Sequence, residues 1–314
     1  SEFHRWIRDK EKALGLTNSG SFLRFIDRDS TYFSRQYLRV MAASWELTPG
    51  LEEVYYNAEH GFTLQYPLLL ATLTPDDPQE VADRKMRLVA IFLDILLVRR
   101  LWNFRAIDYN TMQYAAFLVM KDVRHKAPAE LAALLRGRLE EDKETFESND
   151  RFYLHGMNRK QIKRILARMT DYIETQSGLP SRYAEYTGGR GNARYEVEHI
   201  WADKPERFAD EFPSEHDFAE HRNRVGGLLL LPKSFNASYG ALPYEEKLPH
   251  YFGQNLLAKS LHPDCYTHNP GFLSFVQRSG LAFHAYPTFK KADQEERQML
   301  YRRIAEAVWD PARL

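Results

Sequence analysis

Two short stretches of this chain carry residue types that can hydrolyse a phosphate ester. The first, Tyr195-Glu196-Val197-Glu198-His199-Ile200-Trp201, alternates polar and apolar residues and closes on an acid–histidine pair. The second opens with Gly226-Gly227-Leu228-Leu229-Leu230-Leu231-Pro232 and runs into Lys233-Ser234-Phe235-Asn236. A neutral imidazole accepts a proton from water near pH 7. A carboxylate and an amide oxygen form a hard, sparsely held cation site, which suits Mg²⁺ with most of its waters retained. A base and a cation are what phosphodiester hydrolysis needs. Neighbouring side chains on a strand point to opposite faces, so Glu198 and His199 serve one centre only if the chain turns there. The loop-like sequence after Trp201 permits a turn.

The elements around these residues follow from periodicity. Alternation predicts a short strand over 194–200, and the leucine run predicts a second over 227–231. Lys233 opens a helix or turn, and helical spacing continues over 235–251. A last helix has Asp293 and Glu296 in capping-box spacing and stops before Pro311. Upstream, Ile162, Ile165, Leu166, Met169, Tyr172 and Ile173 form one apolar stripe that Gly178 ends. Asp77-Pro78 reads as the start of a helix to about Phe104, with Asp77 as N-cap acceptor and Pro78 at the first helical position, apolar on all sides in its middle and therefore buried. Shorter helical pieces are predicted at 21–43, 65–73, 107–122 and 128–147. The fold expected is mainly α: an all-helical region over 1–178, then a small α+β domain over 179–314 with its core near 194–251. Gly188, Gly189 and Gly191, with Pro180 and Ser181, mark the joint.

A strand ending in histidine, a second strand and a helix presenting asparagine is the layout of a ββα-metal (His-Me) nuclease finger. The run Glu198-His199-Ile200, the Gly226–Leu231 strand, Asn236 and Pro243-Tyr244-Glu245-Glu246-Lys247 resemble the C-terminal HNH nuclease domain of GmrSD-type restriction endonucleases. Members of that family typically show Glu-His-Ile, then Gly-Asn-Leu-x-Leu-Leu, an Asn nine residues after that motif's own Asn, and Pro-Phe-x-x-Lys; here the step from Gly227 to Asn236 is nine. The closing helix, with Arg297, Leu300, Ala305 and Trp309, is similar to the family's, and Tyr66–Leu70 with Arg99-Arg100 resembles the region joining its two halves. The resemblance implies a DNA endonuclease of restriction or anti-phage defence, one finger nicking one strand. It implies His199 as general base, Glu198 and Asn236 as ligands of Mg²⁺ or Mn²⁺, and Lys247 as a substrate-phosphate or fold-stabilising contact. It further implies modified or phage DNA as substrate, as in SspE-like phosphorothioate-dependent proteins. Gly227 departs from the pattern, because the family has there an Asn that braces the loop of the base; Asn223 is the candidate replacement. Trp201-Ala202-Asp203 stands where the family has apolar-Pro-Gln, and Asp203 is either an added ligand or a turn residue.

Full-length relatives begin with a nucleotide-hydrolysing domain bearing Asp-Gly-Gln-Gln-Arg. No such run occurs in the 314 residues, and Gly188-Gly189-Arg190-Gly191 lacks the lysine and hydroxyl of a phosphate loop. The chain is therefore expected to be the C-terminal part of a longer protein, with that half as its partner.

Charge adds a surface. The 43 basic and 43 acidic residues cancel, which excludes a grossly basic protein but not a local patch. Residues 151–194 hold nine Lys/Arg against three acids. Lys160, Lys163 and Arg164 lie opposite the apolar stripe, and with Arg190, Arg194 and Lys247 they are the candidate DNA contacts. The longest apolar stretch, 88–98, is too short to span a membrane. A single Cys265 excludes a disulfide framework and a multi-cysteine zinc site, and places the chain in a reducing, cytoplasmic setting. The absence of His-Glu-x-x-His excludes a zincin. His216 and His221 lack a partner pattern and read as structural or solvent-exposed, and the scattered His250, His262, His268 and His284 read as structural. The competing function is a non-catalytic helical module whose degenerate finger binds DNA or protein without cutting.

Overall fold

The computed structural model describes residues 2–189, 191 and 194–314. In chain order its helices and strands begin with α1 (Glu2–Lys10), α2 (Ser19–Arg24), α3 (Thr31–Ala43), α4 (Glu52–Glu59), α5 (Gln65–Ala71) and α6 (Gln79–Trp102). Next come α7 (Tyr109–Val123), α8 (Pro128–Glu141), α9 (Arg159–Gln176), α10 (Tyr183–Thr187) and β1 (Tyr195–His199). There follow α11 (Glu215–Arg222), β2 (Leu228–Pro232), α12 (Lys233–Tyr239), α13 (Tyr244–Tyr251), α14 (Leu256–Lys259), α15 (Pro270–Ser279) and α16 (Lys291–Val308). The fold is mainly helical, as the periodicity predicts. The chain divides into two compact units: Ser1–Leu97 with Ala106–Asp142 and Pro311–Leu314, and Val98–Arg105 with Lys143–Asp310.

Among the described residues, the regular elements of the first unit are all helices. Along α6, Met86, Val89, Ala90, Ile91, Phe92, Leu93, Ile95 and Leu97 are all buried, which is why this helix is apolar around its whole circumference. Its start differs from the capped one the sequence predicts. The helix begins at Gln79, and the Asp77 carboxylate instead accepts the Thr74 N–H at 2.9 Å and pairs with Lys85 at 2.8 Å. The i+8 lysine outcompetes the first-turn amides because the charged donor gives the stronger bond.

The second unit holds both strands. They pair antiparallel in the register Tyr195–Pro232, Val197–Leu230 and His199–Leu228. Of the predicted stripe of α9, Ile162, Ile165, Leu166, Met169 and Ile173 are fully buried and Tyr172 is half-buried, and α9 packs against both strands. Gly178 adopts φ +84°, a left-handed conformation that ends the helix. Gly226 sits where the approach to β2 crosses α16. A Cβ there would lie 2.4 Å from the Gln298 backbone nitrogen, and the Gly226 N–H donates to Gln298 Oε1 at 2.7 Å. Only glycine fits this crossing. The helical stretch predicted over 235–251 is two helices, because Pro243 restarts the chain as the residue preceding α13.

Candidate active site

His199 is the last residue of β1. The Ile200 N–H continues the ladder to the Gly227 carbonyl at 2.9 Å, and the chain then leaves the sheet. Trp201 fixes that departure. Its indole is buried against Phe208, Phe212, Phe218 and Phe289, and its Nε1–H donates to the Phe289 carbonyl at 2.7 Å.

The ring of His199 is held by Asn223, with Nε2 2.9 Å from Oδ1. Asn223 follows α11, which starts where Ser214 caps the Asp217 N–H. Its backbone is fixed by a neighbouring segment, because its carbonyl accepts the Leu154 N–H at 2.8 Å and Val225 N–H donates to Phe152. The Asn223 amide nitrogen donates to the Ala219 carbonyl at 2.8 Å. A carbonyl only accepts, so the amide oxygen must face the ring, and the ring nitrogen facing it must carry the hydrogen. Nε2 is thus protonated and Nδ1 keeps its lone pair. Burial, reinforced by the charges of Arg222, Lys247 and Arg159, pushes the His199 pKa down to about 4. The imidazole is neutral at pH 7.

Glu198 takes the other direction off the strand and is buried. Its Oε1 lies 2.6 Å from Lys247 Nζ, and the same ammonium donates to the His199 carbonyl at 3.0 Å. Lys247 is 0% exposed. Burial pushes the Glu198 carboxyl up and the Lys247 ammonium down, each opposed by the charge of its partner. Lys247 therefore clamps the strand end through both the side chain of Glu198 and the backbone of His199.

Asn236 lies in α12, which packs on both strands. Its Oδ1 is buried and has no hydrogen-bond partner. A buried amide oxygen left without a donor is costly, and a cation is one group that would satisfy it. Among the described residues, no group of three or more His, Cys, Asp or Glu is placed to hold a metal. Asn236 Oδ1 is an oxygen donor of the kind a hard cation takes.

Of the basic candidates, Lys160, Lys163 and Arg194 line one groove of about 720 Å³ beside β1, together with Arg159. Arg194 also pairs with Glu196 at 2.8 Å. Arg164 is not among the groove residues, and Arg190 lies outside the described residues. Asp203 is an exposed bend residue whose carboxylate comes 4.0 Å from Arg222 Nε. Arg222 itself was not singled out by sequence reasoning. Its Nε donates to the Trp201 carbonyl at 3.1 Å, beside the histidine, and no spacing rule links residues so far apart. Cys265 is buried and its thiol is pushed up by that burial, so it is not an activated nucleophile.

A mainly helical protein with a two-stranded ladder that ends in an amide-held histidine is what fold and site define. Residues 112–304, more than half the chain, match the model of the GmrSD restriction endonucleases, C-terminal domain, and the chain belongs to that family. No curated protein and no solved structure matches it.

Proposed function

We propose that this chain is a metal-dependent HNH endonuclease that nicks DNA in restriction or phage defence, working with an N-terminal half that handles nucleotide. The observation that carries this reading is the Asn223-held His199, whose free Nδ1 stays unprotonated at neutral pH. In the reaction, water gives a proton to Nδ1 while its oxygen forms a bond to phosphorus. The ester P–O bond breaks, and the departing oxygen takes a proton from solvent. Asn223 keeps the ring in the tautomer and orientation this transfer needs. Asn236 Oδ1 is the amide oxygen available to Mg²⁺ or Mn²⁺. When bound, the ion offsets charge on the phosphate.

Of the two roles the family resemblance leaves for Lys247, burial favours bracing over phosphate contact. Its grip on Glu198 favours bracing for that residue too, over ligation of the ion. The groove of Arg159, Lys160, Lys163 and Arg194 is the track for the DNA backbone. Incubating supercoiled plasmid with the chain and Mg²⁺ or Mn²⁺ should yield open circles, and chelator should prevent it. Plasmid that binds but stays supercoiled under every metal would favour the binding module instead.

A further inference from the structure

Arg222 occupies a position that the roles assigned so far do not use. Its Nε is tied to the carbonyl of Trp201, two residues beyond His199, and the next residue, Asn223, holds the His199 ring. The guanidinium is thereby pinned between the two segments that frame the base. Its side chain is only 17% exposed, yet its terminal nitrogens are not among the buried donors left without a partner. They meet no hydrogen-bond acceptor among the described residues, so they open to solvent. The one carboxylate within 4.0 Å among the described residues is the exposed Asp203, and it approaches Nε rather than the fork. Glu198, the buried acid nearby, is taken by Lys247. Arg222 also bears electrostatically on both His199 and Glu198.

A guanidinium anchored at Nε with two free N–H ends matches the spacing of two phosphate oxygens, and it stays charged at every pH of interest. We propose that Arg222 is a catalytic residue of the His199 site, its fork holding two non-bridging oxygens of the phosphodiester under attack. The assignment rests on the nuclease reading above. Arg222 gives and takes no proton. It offsets the negative charge that grows on those oxygens as the water oxygen bonds to phosphorus, and it does so without reorganising, because Trp201 has already fixed it. The buried Lys247 is not placed to do this, and the groove lysines belong to the track rather than to the end of β1.

The test compares wild type, Arg222→Gln and Arg222→Lys on supercoiled plasmid with Mg²⁺. Gln retains a donor for the Trp201 carbonyl, and Lys retains the charge without the fork. Both variants should melt near wild type and lose about a hundredfold in kcat, with a smaller change in KM. A residue that only tethers the Trp201 loop would keep its rate in Arg222→Gln, which retains that tether. Wild type that cuts, with a folded variant cutting within about twofold, overturns Arg222 and leaves the nuclease standing. Wild type that never cuts overturns both. Should Arg222→Gln fail to fold, the kcat of Arg222→Lys decides alone, at the same hundredfold against twofold.

Discussion

His199 Nε2 and Asn223 Oδ1 lie 2.9 Å apart, joined across 24 residues of sequence, and the second bond of Asn223 to Ala219 decides which ring nitrogen carries the hydrogen. The pair links a strand end to a helix end. It also fixes the chemistry of the ring.

Replacing Asn223 should therefore change rate and pH dependence more than fold. Wild-type kcat/KM should fall on the acid side only as pH approaches about 4, the value to which burial and neighbouring cations push His199. Asn223→Ala should lower kcat at least tenfold, since a misoriented base loses most of a contribution worth about 10²–10⁴-fold. Asn223→Asp places a carboxylate on the ring, stabilises the imidazolium and should move the acid limb upward. An unmoved limb in Asn223→Asp would mean that the residue does not touch the base. The same shift affects stability. The folded ring takes up its proton at lower pH than the unfolded one, so its contribution is present above about 6.5 and declines as pH falls towards about 4.

Lys247 and Glu198 should behave as a unit. Lys247→Met leaves a buried carboxylate without its counter-charge and should cost about 3–5 kcal/mol of stability. Adding Glu198→Leu should restore much of that loss, because the pair then becomes apolar. Chemical denaturation of the two single variants and the double measures the coupling, and strictly additive losses would contradict the clamp.

Asn236→Ala should raise the Mg²⁺ concentration needed for half-maximal rate, with little effect on melting temperature. The orphaned Oδ1 gives nothing to the fold that its removal would take away. A metal titration at fixed DNA separates the two effects. An unchanged requirement would show that the ion is held elsewhere.

Charge reversal at Lys160, Lys163 and Arg194 should weaken binding to any DNA sequence. Each lost phosphate contact should flatten the slope of log K against log salt by about 0.9. Arg164, which is not among the groove residues, should give the smaller change of slope. Equal slopes for the triple variant and the parent would move the track away from β1.

Much of this architecture was legible in the sequence because it depends on local period. The stripe from Ile162 to Ile173 and the alternation from Tyr195 to His199 each form the element their period predicts, although the strand buries Glu198 on its second face as well. Gly226 was legible as part of a strand approach but not as a crossing point, since that depends on Gln298 of α16. Contacts that cross the fold left no such trace. Lys247 reaches Glu198 over 49 residues, and a lysine that fills a buried socket has the same letter as one that greets a phosphate. Arg222 sits in a helix with little amphipathic character, and its bond to the Trp201 carbonyl spans 21 residues of sequence. Asp77 failed as a cap because Lys85, two helical turns on, took its carboxylate.

On the proposed reading, His199 is the base of a DNA-cutting site. Its most direct test is the rate at which His199→Ala converts supercoiled plasmid to open circle in Mg²⁺, measured beside wild type and beside DNA affinity for both. The transition-state role predicts a rate at least a hundredfold lower, with affinity and melting temperature close to wild type, because a base contributes little to ground-state binding. Nicking by His199→Ala at the wild-type rate would contradict it.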